Sequence, residues 1–133
     1  METVTIKSAH DGTTLEFSGY SGGYYNVSVN GTNCHGAGKV YAYEPASKIS
    51  AFFHDMAANS RGWNGKKNWG SLEGELSLSA TCDSTGHITL SVELHSGPYP
   101  FDWRLSAVLL IEAGQLERIA SQVEKFIGRN SAD

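Results

Sequence analysis

A chain of 133 residues, 40% hydrophobic and 18% charged, suffices for one domain around a single core and is too apolar for intrinsic disorder. Its formal charge of −4 argues against sequence-independent binding to nucleic acid or anionic lipid, because that binding needs cationic side chains to neutralise phosphate. The two cysteines, Cys34 and Cys82, form no disulfide framework. No apolar run approaches the roughly 20 residues that span a bilayer, and no basic start precedes an apolar segment, so the expected setting is the cytoplasm.

The first elements are strands. Val4 and Ile6 alternate with Thr3, Thr5 and Lys7, the two-residue period of a half-buried strand. Asp11-Gly12 supplies a turn, and Leu15 and Phe17 carry a second strand up to Gly19, Gly22 and Gly23. A third strand, from about Tyr24 to Val29, leads into Asn30-Gly31, the strongest short hairpin signal in the chain. A fourth runs from about Asn33 to Tyr43, where Gly36 and Gly38 predict a bulge or a close approach by another part of the backbone.

At Glu44-Pro45 the rhythm changes. Ile49, Phe52, Phe53 and Met56 recur at helical spacing and predict an amphipathic helix ending near Asn59. The stretch from Ser60 to Glu75 holds Trp63 and Trp69 among Gly62, Gly65, Gly70 and Gly74. Such glycine density predicts a structured turn whose indoles need cover from the next sheet. Leu76, Leu78, Ala80 and Cys82 then alternate with polar residues, as do Ile88, Leu90, Val92 and Leu94 beyond Asp83-Ser84-Thr85-Gly86, which predicts a hairpin with one dry face. A last strand, Phe101 to Glu112, is expected to turn Phe101, Trp103, Leu105, Ala107, Leu109 and Ile111 inward. Leu116, Ile119, Ala120, Val123 and Ile127 form a second helical stripe, with Gly128 placed to end it and 129–133 as a polar tail. The expectation is one α+β domain over 1–128: a curved, mainly antiparallel sheet of about seven strands carrying two helices, in the order ββββ-α-βββ-α.

Chemistry is sparse. His87, Glu93 and His95 share one strand face, but eight residues separate the histidines, about 26 Å at roughly 3.3 Å per residue, too far to share an ion. A solvated polar face explains them better, and no metal or other cofactor is expected. Cys34-His35 and His54-Asp55 are sequence neighbours whose side chains diverge, which disfavours an activated nucleophile. No nucleophile elbow and no phosphate loop is present, because Gly36-Ala37-Gly38 lacks the Gly-Lys-Ser/Thr sequel. The aromatic residues are more suggestive. Tyr20, Tyr24, Tyr41 and Tyr43, with Trp63, Trp69 and Tyr99, are candidates for a binding rim, since such rings dominate contact hot spots. The alternative is that they fill core and edge positions. The hydroxyl face of Ser77, Ser79, Thr81, Thr89 and Ser91 either docks a partner or meets water.

Tyr41-x-Tyr43-Glu44-Pro45, Phe52-Phe53, Arg61-Gly62-Trp63-x-Gly65, Trp69-x-Ser71-Leu72-Glu73-Gly74-Glu75-Leu76, Gly86-His87 and Leu116-Glu117-x-Ile119-Ala120 together resemble a family of small bacterial proteins of unknown function. The resemblance covers nearly the whole chain and implies a bacterial, intracellular, free-standing domain, with no activity to carry over. Two functions follow as expectations. The first is a non-enzymatic domain that binds another protein, similar in size and charge to immunity proteins or adaptors. The second is a small-molecule binder or enzyme with a cavity between sheet and helices near the Trp63–Trp69 turn.

Overall fold

The structure, a computed structural model, describes residues 3–44 and 48–131, with side chains as far as residue 128. Four strands open the chain: β1 (Thr3–Lys7), β2 (Thr14–Ser21), β3 (Tyr24–Asn30) and β4 (His35–Tyr41). Helix α1 (Ile49–Ala58) follows, then β5 (Trp63–Gly70), β6 (Leu76–Cys82), β7 (His87–His95), β8 (Arg104–Glu112), a 3-10 turn and helix α2 (Leu116–Ser131). The α+β class, the antiparallel pairing and the two helices are as the periodicities predicted.

The strands form two sheets of four and not one of seven, in the orders β1-β2-β3-β4 and β5-β6-β7-β8. The eighth strand is the stretch read as a turn. Trp63–Gly70 pairs with β6 in the register Trp69↔Leu78, with an irregularity between Trp63 and Lys67. Gly65, at φ 74°, absorbs that irregularity where a residue with Cβ would be strained. Glycines thus mark a bulged edge strand here.

Other differences are local. Phe101 and Trp103 precede β8 and stay exposed. The α2 stripe buries Phe126, while Ile127 is only partly covered. The helix continues past Gly128 to Ser131. Pro45, read as a helix start, lies outside the described residues; α1 begins at Ile49, whose N–H donates to the Glu44 carboxylate at 2.6 Å, satisfying one donor of the first turn.

One core joins everything. The inward residues of both sheets, Ile49, Phe53 and Met56 of α1, and Leu116, Ile119, Val123 and Phe126 of α2 are all buried in it. The helices pack on each other, with α2 also against β1 and β2 and α1 against β5. Phe126 stands edge-on to Phe17 and Tyr25 at 6.5 and 5.8 Å between ring centres, a favourable aromatic arrangement.

The sheets meet where glycine permits it. A Cβ on Gly36 would lie 2.6 Å from Leu105 Cδ1, so the close approach expected at Gly36 and Gly38 is to β7 and β8. Two polar ties secure the seam. Glu75, just before β6, accepts the Tyr41 N–H of β4 at 2.9 Å. The hairpin after β1 holds the outer edge of β8: Leu110 N–H donates to Ser8 Oγ at 3.0 Å, and Ala9 N–H to Leu110 O at 2.8 Å.

Candidate functional site

Aromatic side chains gather at two places. The first is built by β3 and β4, whose register sets Tyr24 opposite Tyr41. Their rings stand 5.2 Å apart, and Tyr43 lies 6.3 Å beyond Tyr41. Tyr24 and Tyr43 are exposed, whereas Tyr20 packs against Tyr25 and Phe126. Tyr20, Tyr41 and Tyr43 wall a cleft of about 540 Å³ between this sheet and the two helices, with Glu44, Lys48 and Glu124 on its rim. Burial raises the Glu44 carboxyl above its usual range, against the lowering effect of the Ile49 hydrogen bond. Burial, and secondarily the neighbouring Glu44 and Glu75, push the Tyr25 phenol far above its ordinary value, so it stays protonated.

The second place is the connection from β7 to β8. Tyr99 and Phe101 are 60% and 85% exposed and lie parallel, with ring centres 5.3 Å apart. Trp103 is 44% exposed beside them. The backbone beneath is pinned. Asp102 accepts hydrogen bonds from Ser96 Oγ at 3.0 Å and Tyr99 N–H at 2.9 Å. Trp103 N–H donates to Ser96 Oγ and Ser96 N–H to Trp103 O, each at 3.0 Å. Gly97 is required, because a Cβ there would sit 2.7 Å from Asp102 Oδ2. The loop that resisted regular structure in the sequence is therefore ordered by side-chain acceptors.

The candidate residues divide accordingly. Tyr20, Tyr24, Tyr41 and Tyr43 share the first surface and Tyr99 belongs to the second. The tryptophans of β5 join neither: Trp69 is 5% exposed, and Trp63 donates Nε1–H to Ala80 O at 3.3 Å under the Lys67 ammonium. Phe101 and Trp103 were missed because strand alternation carried them inward. The signal against it was Pro98 and Pro100, which keep this stretch out of the ladder.

The titratable clusters are local. Thr85 Oγ, then the His87 N–H, hold the Asp83 carboxyl down at about 2, and His87 lies 3.5 Å from both Asp83 and Glu112. Among the described residues no three His, Cys, Asp or Glu side chains converge as a metal site requires. Cys34 is an exposed free thiol, and Cys82 a buried one raised by burial. No described helix is long and apolar enough to cross a membrane.

Compared with known proteins, residues 6–130 match the model of a family of unknown function, DUF6228. The chain belongs to DUF6228. No curated protein and no solved structure matches it. DUF6228 is a family of unknown function, as the resemblance implied, and transfers no residue role, so the function of this DUF6228 chain is argued from its surface.

Proposed function

We propose that this chain is a bacterial, cytoplasmic, non-enzymatic domain that binds another protein, as immunity proteins or adaptors do. The observation that carries the reading is the Tyr99–Phe101 pair, stacked in solvent on a loop fixed by Asp102 and Ser96. Exposed rings cost free energy in water, and ordering a loop to present them costs more, unless a partner covers them. A rigid aromatic anchor loses little entropy on binding, which is what a hot spot needs. Nucleic acid and membrane are not expected as partners.

The test is affinity capture from a lysate of the source organism, followed by a dissociation constant for the purified pair. Truncating both rings, Tyr99→Ala with Phe101→Ala, should weaken the complex by at least tenfold while the fold is retained. A partner bound equally well by the double variant would refute this surface. A second reading draws on the tyrosine cleft of about 540 Å³, a size that suits a small ligand. It lies between sheet and helices but at Tyr20, Tyr41 and Tyr43, away from the Trp63–Trp69 strand near which a cavity was expected. Saturable binding of a small molecule blocked by Tyr41→Ala would favour it.

A further inference from the structure

Every sheet has edges, and β8 is an edge of the second one. Its odd residues, Leu105 to Ile111, sit opposite the even residues of β7. Trp103 O and Ala113 N–H continue that parity by bonding Ser96 and Gly86. The main-chain groups of the even residues therefore point outward. At Leu110 both are used, by Ser8 Oγ and Ala9 N–H. Arg104, Ser106 and Val108 have the same parity and no such bond among the described residues, and all three are exposed. This leaves five residues of open edge, about 17 Å at roughly 3.4 Å per residue, closed at one end by the β1 hairpin and at the other by the Asp102 loop.

The start of the open edge lies in a groove of about 730 Å³. Residues 33–37 line it together with 103–106, and Trp103 and Leu105 are its large apolar side chains. Its lining includes Arg104 and His35 and no carboxylate, and Arg104 is in no ion pair among the described residues; the carboxylate further along, Glu93 opposite Ser106, is engaged by His95, so the acidic residue of a partner belongs at Arg104. Unbonded edge groups of a strand pair with another extended chain or are shielded from one, and here nothing described shields them.

We propose that β8 takes an extended, acidic segment of a partner protein as an added antiparallel strand between Arg104 and Val108. The inference rests on the protein-binding reading and names the segment recognised. Main-chain bonds to Arg104, Ser106 and Val108 supply affinity, the Arg104 guanidinium meets a carboxylate, and Trp103 and Leu105 take an apolar side chain, the division of roles usual in strand addition. A second copy of the chain is the weaker occupant. Five residues of edge fall short of the area a stable dimer buries, and two chains of −4 each repel.

The probe is a displayed library of random octapeptides selected on the intact protein, the best binders then being synthesised. Enriched peptides should carry an acidic residue and shift the amide resonances of Arg104, Ser106 and Val108. N-methylation along a binder should abolish binding at alternate positions and spare those between, since only one parity faces β8. Arg104→Glu should weaken binding at least tenfold, as should Ser106→Pro, which removes an outward N–H that an edge strand can forgo. If Ser106→Pro fails to fold, the N-methyl series and Arg104→Glu decide. Failure to enrich any peptide, indifference to N-methylation at both parities, or a dimer lost on Arg104→Glu would each overturn the proposal. A full-length partner that loses affinity with Tyr99→Ala and Phe101→Ala but tolerates Arg104→Glu and Ser106→Pro would leave the protein-binding reading standing and remove the added strand.

Discussion

Removing the Glu75 side chain tests how the two sheets are held together. Glu75 is 8% exposed, yet its carboxylate is spoken for on both oxygens. Oε2 accepts Tyr41 N–H at 2.9 Å and Oε1 accepts Ser71 Oγ–H at 2.7 Å. Tyr41 is in the first sheet, and Ser71 and Glu75 lie beside the second, so this acid ties the outer edge of β4 to the strand beyond the seam. Hydrogen bonds to a charged group contribute about 1.5–3 kcal/mol each, and a stranded donor costs its desolvation. Water reaching the exposed side of Tyr41 discounts the sum, so Glu75→Ala should cost about 3 kcal/mol. For a chain of this length that lowers Tm by about 10 °C. Glu75→Gln keeps one acceptor and should lose about half as much. Urea denaturation gives the free energies, and amide exchange at Tyr41 should quicken in Glu75→Ala more than at Val27, inside the sheet. A loss below about 1 kcal/mol, or unchanged exchange at Tyr41, would mean that apolar packing around Gly36 and Gly38 holds the seam and the carboxylate adds little.

Asp83→Asn should destabilise the protein at neutral pH by an amount that fades on acidification. The folded carboxyl, held at about 2 against an ordinary 3.8, binds its proton less tightly than in the unfolded chain, so its contribution is full above about pH 5 and is lost as the pH falls through about 2; denaturation midpoints of both proteins across that range check it. Phe126→Ala should cost about 3–5 kcal/mol, as truncating a buried ring does, whereas Ile127→Ala should cost much less; equal losses in thermal melts would place the helix face wrongly. Trp69→Ala should destabilise by about 3 kcal/mol or more with no specific effect on a partner, while Tyr99→Ala and Phe101→Ala should leave Tm within a few degrees and act on binding alone, a contrast read by calorimetry and titration of the same preparations.

Most elements were legible because burial imposes a period. Val4, Ile6, Leu15 and Phe17, and later the run from Leu76 to Leu94, alternate without a break, and each faces the core at every second residue. The residues from Trp63 to Gly70 were not legible, since an edge strand paired on one side and bulged at Gly65 shows neither strict alternation nor β-branched content. The division into two sheets was illegible for another reason. It depends on which edges pair, and the ties that set it, Glu75 to Tyr41 and Ser8 to Leu110, join residues 34 and 102 positions apart. Four tyrosines of the expected rim did come together, because Tyr24 and Tyr41 are cross-strand partners in the hairpin closed by the 31–34 loop, Tyr43 follows β4, and Tyr20 lies on the adjoining strand β2. The exposed pair Tyr99–Phe101 depended instead on Asp102 folding back onto Ser96, a side-chain contact with no periodic signature.

The two aromatic surfaces differ in what holds their rings, and that difference is the ground for proposing the second. Tyr20 packs on Tyr25 and Phe126, and Tyr41 on Tyr24 and Tyr43, so these two rings gain packing in the free protein and have less to gain from a ligand. Tyr99 and Phe101 stack on each other with most of their surface in solvent, while four hydrogen bonds at Asp102, Ser96 and Trp103 hold the backbone beneath them. Ordering of this kind lowers the entropy a complex must offset, and it stands directly beside the open edge of β8. Anchor and edge are thus continuous, so the proposed partner would engage both, with its extended segment along Arg104 to Val108 and a pocket over Phe101.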